Sequence, residues 1–278
     1  MTYLCPRIRI LGALSVLVSS IVIAAACAQE PAPAEDAAAV NRPGGNDPAE
    51  PTATGAPEAA APAEPAPPAV DPAAIAARLA HGIDLSHHDG SVDWAQVAAA
   101  GHTFAIVKAS EGVDNPDPAF PGHWPAMKEA GLIRGAYHFY VTEDDPAEQA
   151  KLFIDTVALE PGDLAPAVDI ELIGHGTQPG LADRLKTFLS ILEQHYGVKP
   201  IIYTGPNFWD ANLDATFGDH PLWIAEYGVS EPRLPAGWQG WHLWQYDDDV
   251  TVPGVGKAVD ASHVNRTGAD LGALVIPD

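Results

Sequence analysis

Between His81 and Val259 the chain alternates short apolar runs with stretches of helical pattern, and this alternation limits the available folds more than any other feature. Ile83-Asp84-Leu85, Phe104-Ala105-Ile106-Val107, Gly135 to Tyr140 and Val168 to Leu172 read as strands, being rich in β-branched and aromatic residues. Ile201-Ile202-Tyr203, Leu222 to Ala225, Trp241 to Trp244 and Ala258-Val259 continue the series. Helical pattern fills the earlier gaps, at Asp93 to Ala100, around Trp124 to Ala130, and from Pro146 to about Val157. The most periodic stretch runs from Leu181 to Tyr196, with Leu185, Phe188, Leu189 and Leu192 on one face, and Gly197 and Pro200 mark its end. Strands alternating with helices imply a parallel sheet. Eight strand candidates, the later ones joined by Pro- and Gly-rich links too poor in helix formers for full helices, predict an α/β fold of the shortened TIM-like barrel type. A doubly wound open sheet is the alternative, but no Gly-rich phosphate loop follows the first strand.

The N-terminal part follows other rules. Arg7 and Arg9 precede a stretch from Ile10 to Ala26 that is apolar and uncharged, so residues 1–28 are expected to be an export signal. Ala24-Ala25-Ala26-Cys27 resembles a lipoprotein cleavage box that would leave Cys27 as a lipidated first residue, although Ala24 stands where Leu is commonest. Ala26-Cys27-Ala28 also fits plain small-x-small cleavage; lipidation is preferred because it gives Cys27 a role. Residues 29–78 are dominated by Ala, Pro and Glu without an apolar face, a disordered tether, and residues 79–278 form the folded domain. The two cysteines, Cys5 and Cys27, both precede that domain, which therefore has no disulfide framework.

The net charge is −23, from 14 basic against 37 acidic residues. Phosphate binding needs clustered Lys and Arg, so nucleic acid is excluded as a partner, and anionic membrane surfaces are disfavoured. Membrane contact is expected only through a lipid on Cys27, and the self-repelling surface suits a monomer.

Within Ala167-Val168-Asp169-Ile170-Glu171 two carboxylates stand one residue apart, so on a strand they would share a face inside an apolar run. Buried carboxylates are costly unless paired, hydrogen-bonded or protonated, and a chain that accepts the cost commonly does so for chemistry. Other expected strands also end in polar groups: Asp84; Lys108 and Glu111; His138; Tyr203; Glu226; Gln245; Asp260. Active sites of such barrels lie at the C-terminal strand ends, so this recurrence points to a carboxylate active site.

Taken with their neighbours, these residues resemble the family-25 glycoside hydrolases, the Chalaropsis-type lysozymes. The matching stretches are Gly82 to His88, Val107 to Gly112, Ala130 to Phe139, Asp169-x-Glu171, Pro200 to Thr204, Leu222 to Ala225 and Leu243 to Tyr246. They run in the family's order across the span from Gly82 to Asp260. Two positions depart from the pattern: Ser110 stands where Thr is frequent, and Asp260-Ala261-Ser262 where Asp-x-Asn is usual. The resemblance implies a (β/α)5(β)3 barrel that hydrolyses the β-1,4 bond between N-acetylmuramic acid and N-acetylglucosamine in peptidoglycan. It assigns Glu171 as general acid, Asp169 as its ionised partner, and Asp84 and Asp260 as outlying acids. Two like acids should have their pKa values pushed apart. Asp169 could attack the sugar directly or orient the substrate's 2-acetamido group as nucleophile; the resemblance favours the second, with net retention.

Lys108, Glu111, Tyr137, His138, Tyr203, Trp223, Glu226 and Gln245 are the candidate substrate contacts, though Lys108 could equally pair with Glu111 and the aromatics could be core. His87, His88 and Asp89 beside Asp84 invite a metal reading, but adjacent histidines on a strand face opposite ways, so no metal or other cofactor is expected. The domain lacks both Cys and a Gly-x-Ser-x-Gly elbow. Two rival readings are a non-catalytic glycan-binding lipoprotein and a hydrolase of another N-acetylated glycan.

Overall fold

The computed structural model describes residues 80–174, 178–265 and 271–278. The expected export signal (1–28, with Cys27) and tether (29–78) lie outside the described residues. Nine strands form one sheet: β1 (His81–Leu85), β2 (Phe104–Glu111), β3 (Asn115–Pro116), β4 (Ile133–Phe139), β5 (Ala167–Asp169), β6 (Ile201–Thr204), β7 (Leu222–Ala225), β8 (Leu243–Thr251) and β9 (Ala258–Val264). β1 pairs with β2 on one side and with β9 on the other, so the sheet closes into a barrel, with the two-residue β3 hung outside on β2. Neighbours from β1 round to β8 are parallel, whereas β9 is antiparallel to both β8 and β1. This is the expected α/β barrel.

Five α-helices occupy the outside: α1 (Trp94–Ala99), α2 (Phe120–Glu129), α3 (Pro146–Thr156), α4 (Leu181–Tyr196) and α5 (Pro206–Asn212). Their ends follow local chemistry. The Asp93 carboxylate accepts from Gln96 N at 3.1 Å to start α1, and Asp145 accepts from Ala147 N and Glu148 N, ahead of Pro146, to start α3. Gly197, at φ 74°, takes the left-handed turn that ends α4.

Strand alternation divides the core into two layers. Ala105, Val107, Ala136, Val168, Ile202 and Ile224 face outward and pack on Val97, Met127, Phe153, Leu185 and Phe188 of the helices. Phe104, Ile106, Ala167, Ile201 and Leu243 face inward, and with Leu164, Leu271 and Leu274 they form a dry floor across one end of the barrel. The next inward positions along the same strands are Lys108, Asp169, Tyr203 and Gln245. The barrel is thus apolar at the floor and polar at the opposite mouth.

The structure corrects four strand expectations. β5 ends at Asp169 rather than Leu172, so Glu171 lies on the segment that follows it. Trp241 precedes β8, which starts at Leu243 and runs on to Thr251 because β9 pairs along its length. β9 runs to Val264, and its reversal puts Asp260 near its start rather than at a strand end. β2 runs past the expected Val107 to Glu111, with a register shift between Lys108 and Ser110.

Gly82 leaves the room that the barrel floor needs. A Cβ there would lie 2.2 Å from Cε2 of Phe104, a ring with no exposed surface. Gly82→Ala should therefore cost about 1–3 kcal/mol through overpacking and lower the melting temperature by several degrees. Adding Phe104→Leu should recover part of that loss relative to the Phe104→Leu single variant. Calorimetric melts of the four proteins check the cycle, and additive effects would contradict it.

Candidate active site

At the mouth of the barrel a cleft of about 290 Å³ is lined by Asp84, Ser86, His88, Lys108, Tyr137, Phe139, Asp169, Glu171, Tyr203, Trp223, Gln245 and Asp260. The parallel strands bring their C-terminal ends here. β9 delivers Asp260 to the same rim because it runs the other way, so that its beginning meets the others' ends. Asp84 on β1 and Asp260 on β9 are direct cross-strand partners.

Each acid owes its state to its surroundings. Asp84 is held well above the usual carboxylate range, first by burial and then by the charge of Asp260. Burial likewise pushes Asp260 up, to about 6, while its hydrogen bond with Asp84 pulls it back. Asp84 Oδ1 accepts from Gln245 Nε2 at 2.7 Å, whereas no protein donor reaches the buried Oδ2. Double ionisation of this cross-strand pair is therefore disfavoured. Asp169 is raised well above its ordinary value by burial, then by the charges of Glu171 and Asp84, against the opposing pull of Lys108. Its buried Oδ1 has no donor. Glu171 is raised by burial, with the Tyr203 hydroxyl pulling the other way. Both members of this pair therefore move up, where the sequence predicts that Asp169 stays low: Asp169 ends β5 but is buried inside the barrel mouth. A doubly ionised Asp169–Glu171 pair is therefore disfavoured.

The remaining candidates divide. Lys108 lines the cleft, with Nζ 2.5 Å from Glu111 Oε2 and 4.9 Å from the Phe139 ring centre. Glu111 stays outside the lining but, after the β2 register shift, comes back beside Lys108. Tyr137, Tyr203 and Trp223 form walls; the Tyr203 hydroxyl donates to Gln245 Oε1 at 2.8 Å, and Trp223 Nε1 donates to Ser262 Oγ at 3.0 Å. Ser262 thus supplies the hydrogen bond expected of the position where Asn is usual.

His138 and Glu226 do not reach the cleft. Tyr137 points into the barrel, so His138, one residue on, points out, where it meets Ser110 Oγ at 2.9 Å and Gln149 Oε1 at 3.1 Å and packs on Phe153 and Phe188. Burial lowers it to about 4, a neutral core histidine. Glu226 instead accepts from the backbone N–H of Arg233 at 2.6 Å.

Sequence reasoning missed Ser86, His88, Phe139 and Tyr227. Phe139 was within reach of the argument, since it shares the parity of Tyr137. Ser86 and Asp89 form a capping box around a single 3-10 turn, His87–Asp89, that carries His88 over the cleft. The two histidines therefore stand on a turn, with ring centres 3.8 Å apart, and His87 Nδ1 is 2.7 Å from Asp117 Oδ2. Among the described residues, no group of three or more His, Cys, Asp or Glu is arranged to hold a metal ion. Nothing in the sequence marks Tyr227, whose hydroxyl donates to Gln245 Oε1.

Comparison with known proteins adds to this geometry. The sequence pattern of the glycosyl hydrolases family 25 matches residues 83–255. Lysozyme M1 of Streptomyces globisporus is 34% identical over 206 residues, which cover 69% of this chain and 70% of that one. The uncharacterised protein YegX of Escherichia coli strain K12 is 36% identical over 200 residues, covering 70% and 73% of the two chains. Among solved structures, the bacterial lysozyme from Streptomyces coelicolor superposes with a TM-score of 0.67 at 31% identity, covering 72% of this chain and 98% of that one.

Raised carboxyls also bear on stability. Folded Asp169 keeps a proton that the unfolded chain releases near pH 4, so its contribution to stability falls as pH climbs from about 4 toward its folded pKa. Asp169→Asn removes this loss, and at pH 8 it should stabilise the fold by about 1–2 kcal/mol, with little gain at pH 3.5 where both forms are protonated. Melting temperatures at the two pH values check it; an equal or smaller gain at pH 8 would contradict the assignment.

Proposed function

The chain belongs to glycosyl hydrolases family 25 and is a glycoside hydrolase, and we propose that it is a lysozyme that cleaves the β-1,4 bond between N-acetylmuramic acid and N-acetylglucosamine in peptidoglycan. The observation that carries this reading is the pair of Asp169 and Glu171, both raised by burial and set in one cleft at the barrel mouth. Glycoside hydrolysis asks for one protonated and one ionised carboxyl, and a pair that disfavours double ionisation supplies both.

In this mechanism Glu171 is the general acid. It stands just past the strand end, less buried than Asp169, and gives its proton to the leaving glycosidic oxygen. Asp169 accepts the N–H of the substrate's 2-acetamido group on the oxygen that lacks a protein donor. That hydrogen bond favours the carboxylate form of Asp169 and leaves the proton on Glu171. The acetamido oxygen then attacks the anomeric carbon as the glycosidic bond breaks, and Asp169 takes the nitrogen's proton. Water, deprotonated by Glu171, opens the resulting oxazoline from the opposite face while Asp169 returns the proton to nitrogen. Two inversions give net retention. The negative charge of Asp260 faces the positive charge that develops at the sugar ring. Tyr203 and Trp223, with only 7% and 2% of their surface exposed, shape the cleft wall, and the more open Tyr137 and Phe139 offer faces to sugar rings.

Export fits the substrate, which lies outside the cytoplasmic membrane. Residues 1–28 would act as the signal, Cys27 would carry a lipid, residues 29–78 would tether the catalytic domain of residues 79–278, and the enzyme would work as a monomer. The partner in this scheme is the peptidoglycan glycan strand, and no cofactor takes part.

Two experiments test the reading. The wild-type chain incubated with purified sacculi should release fragments with N-acetylmuramic acid at the reducing end, identified by mass spectrometry. Glu171→Gln should lower that rate at least about a hundredfold, as for loss of a general acid. Binding to sacculi without cleavage would instead mark a glycan-binding lipoprotein, and cleavage of a different N-acetylated glycan alone would move the substrate assignment. For the anchor, Cys27→Ala should shift the protein from the membrane to the soluble fraction. Unchanged fractionation would count against lipidation.

A further inference from the structure

Gln245 lies at the junction of the two carboxyl pairs, and its surroundings assign it a task other than touching sugar. Only 1% of its surface is exposed. Both ends of its amide meet protein groups: Oε1 accepts from the hydroxyls of Tyr203, at 2.8 Å, and Tyr227, and Nε2 donates to Asp84 Oδ1 at 2.7 Å. Two phenols that donate must meet an acceptor, so the amide oxygen faces them. The NH2 group is thereby turned toward Asp84; the reverse orientation would give up both phenol donors to the amide oxygen and set that oxygen against Asp84 Oδ1.

The consequence falls on Asp84. Since Oδ1 is occupied by the amide donor, a proton on Asp84 belongs on Oδ2, the oxygen left for its cross-strand partner Asp260. The hydroxyl of Tyr203 faces Glu171 as well as Gln245 but has a single proton to give, while Tyr227 holds the amide in place whichever way Tyr203 turns.

We propose that Gln245 is a positioning residue: its amide, locked by Tyr203 and Tyr227, fixes which oxygen of Asp84 carries the proton and thereby sets the ionisation of the Asp84–Asp260 pair. The charged and titratable groups around that pair are Asp89 and Asp248 on one side, with Lys257 held 3.1 Å from Asp89, and Asp169, Glu171, His88 and the Glu111-paired Lys108 on the cleft side. The phenols of Tyr137, Tyr203 and Tyr227 complete the surroundings. Almost every neighbour is an acid or a phenol, so the Gln245 amide is the main group that favours an ionised Asp84, and its removal should be felt by the pair as a whole. The activity part of the proposal rests on the glycosidase reading above; the titration part does not.

The test is a carboxyl-carbon NMR titration of the full chain, wild type against Gln245→Met, beside the pH profile of sacculus hydrolysis. Losing an amide donor to the carboxylate should raise the apparent pKa of the Asp84–Asp260 pair by about one pH unit, a tenfold change in proton affinity. The acidic limb of kcat/KM should move up by a similar amount, with KM within about twofold of wild type. Tyr227→Phe keeps the fold and the Tyr203 donor, and it should shift both readouts the same way by a smaller amount. If Gln245→Met does not fold, Tyr227→Phe decides alone. Unchanged titration in a folded variant overturns the proposal, as does a KM that rises while the pH profile stays put, which would make Gln245 a substrate contact. Titration that shifts in a protein inactive on sacculi would support the positioning role and remove the lysozyme reading instead.

Discussion

The antiparallel seating of β9 between β8 and β1 is the constraint on which the molecule depends. It closes the barrel, so that no edge of the ring is left without a partner. It also reverses the usual rule that functional groups come from strand ends. A parallel eighth strand would carry Asp260 to the floor if it began at the same residue; the reversed strand brings that early residue to the mouth, opposite Asp84. Like charges directly across a ladder are unfavourable. The pair is tolerable because it holds a proton, and it holds a proton because the closed barrel buries it. Closure, position and protonation are thus one arrangement seen at three scales.

The same logic explains why so acidic a site survives in a chain of net charge −23. Within the cleft Lys108 is the one buried cation among the lining residues, and it is spoken for by Glu111. Neutralisation therefore comes from protons rather than from basic side chains. Where a salt bridge would fix each carboxylate permanently in its charged form, protonation leaves two pairs able to change state. The apolar floor of Phe104, Ile106, Leu243 and Leu274 closes the barrel beneath the acids.

Much of this was legible in the sequence, for identifiable reasons. α4 and β7 stand where the residue pattern places them, at Leu181–Tyr196 and Leu222–Ala225, because a long amphipathic helix and a short buried strand leave unambiguous periodicities. The barrel followed from counting strands, and the acids from their recurrence near strand ends. The errors have a common physical source in that a sequence shows a strand's composition but not its phase or direction. His138 was taken for a cleft residue because it follows Tyr137 at a strand end, yet adjacent residues face opposite sides. Asp169 and Glu171 were read as sharing a strand face; they do share the cleft, but Glu171 arrives there from the segment after β5, free of the sheet's geometry. Glu226 follows β7 at the right end of the barrel but is drawn off by the Arg233 amide, a contact seven residues away that no periodicity encodes.

That Glu171 lies off the strand has a mechanistic meaning of its own. Asp169 is clamped by the ladder: its backbone oxygen accepts from Tyr140 N at 2.8 Å, and the next residue, Ile170, donates to Tyr203 O at 3.1 Å. In the mechanism proposed above, the group that holds the substrate's acetamido arm gains from such rigidity. A group that must meet a leaving oxygen, release a proton and later take one from water gains from reach and from access to solvent. Placing the two acids two residues apart, across the point where the ladder ends, gives one carboxyl the stiffness of the sheet and the other the freedom of the loop. Had β5 continued to Leu172, Glu171 would be held by the same ladder as Asp169, and the proposed division of roles between the two acids would lose its structural basis.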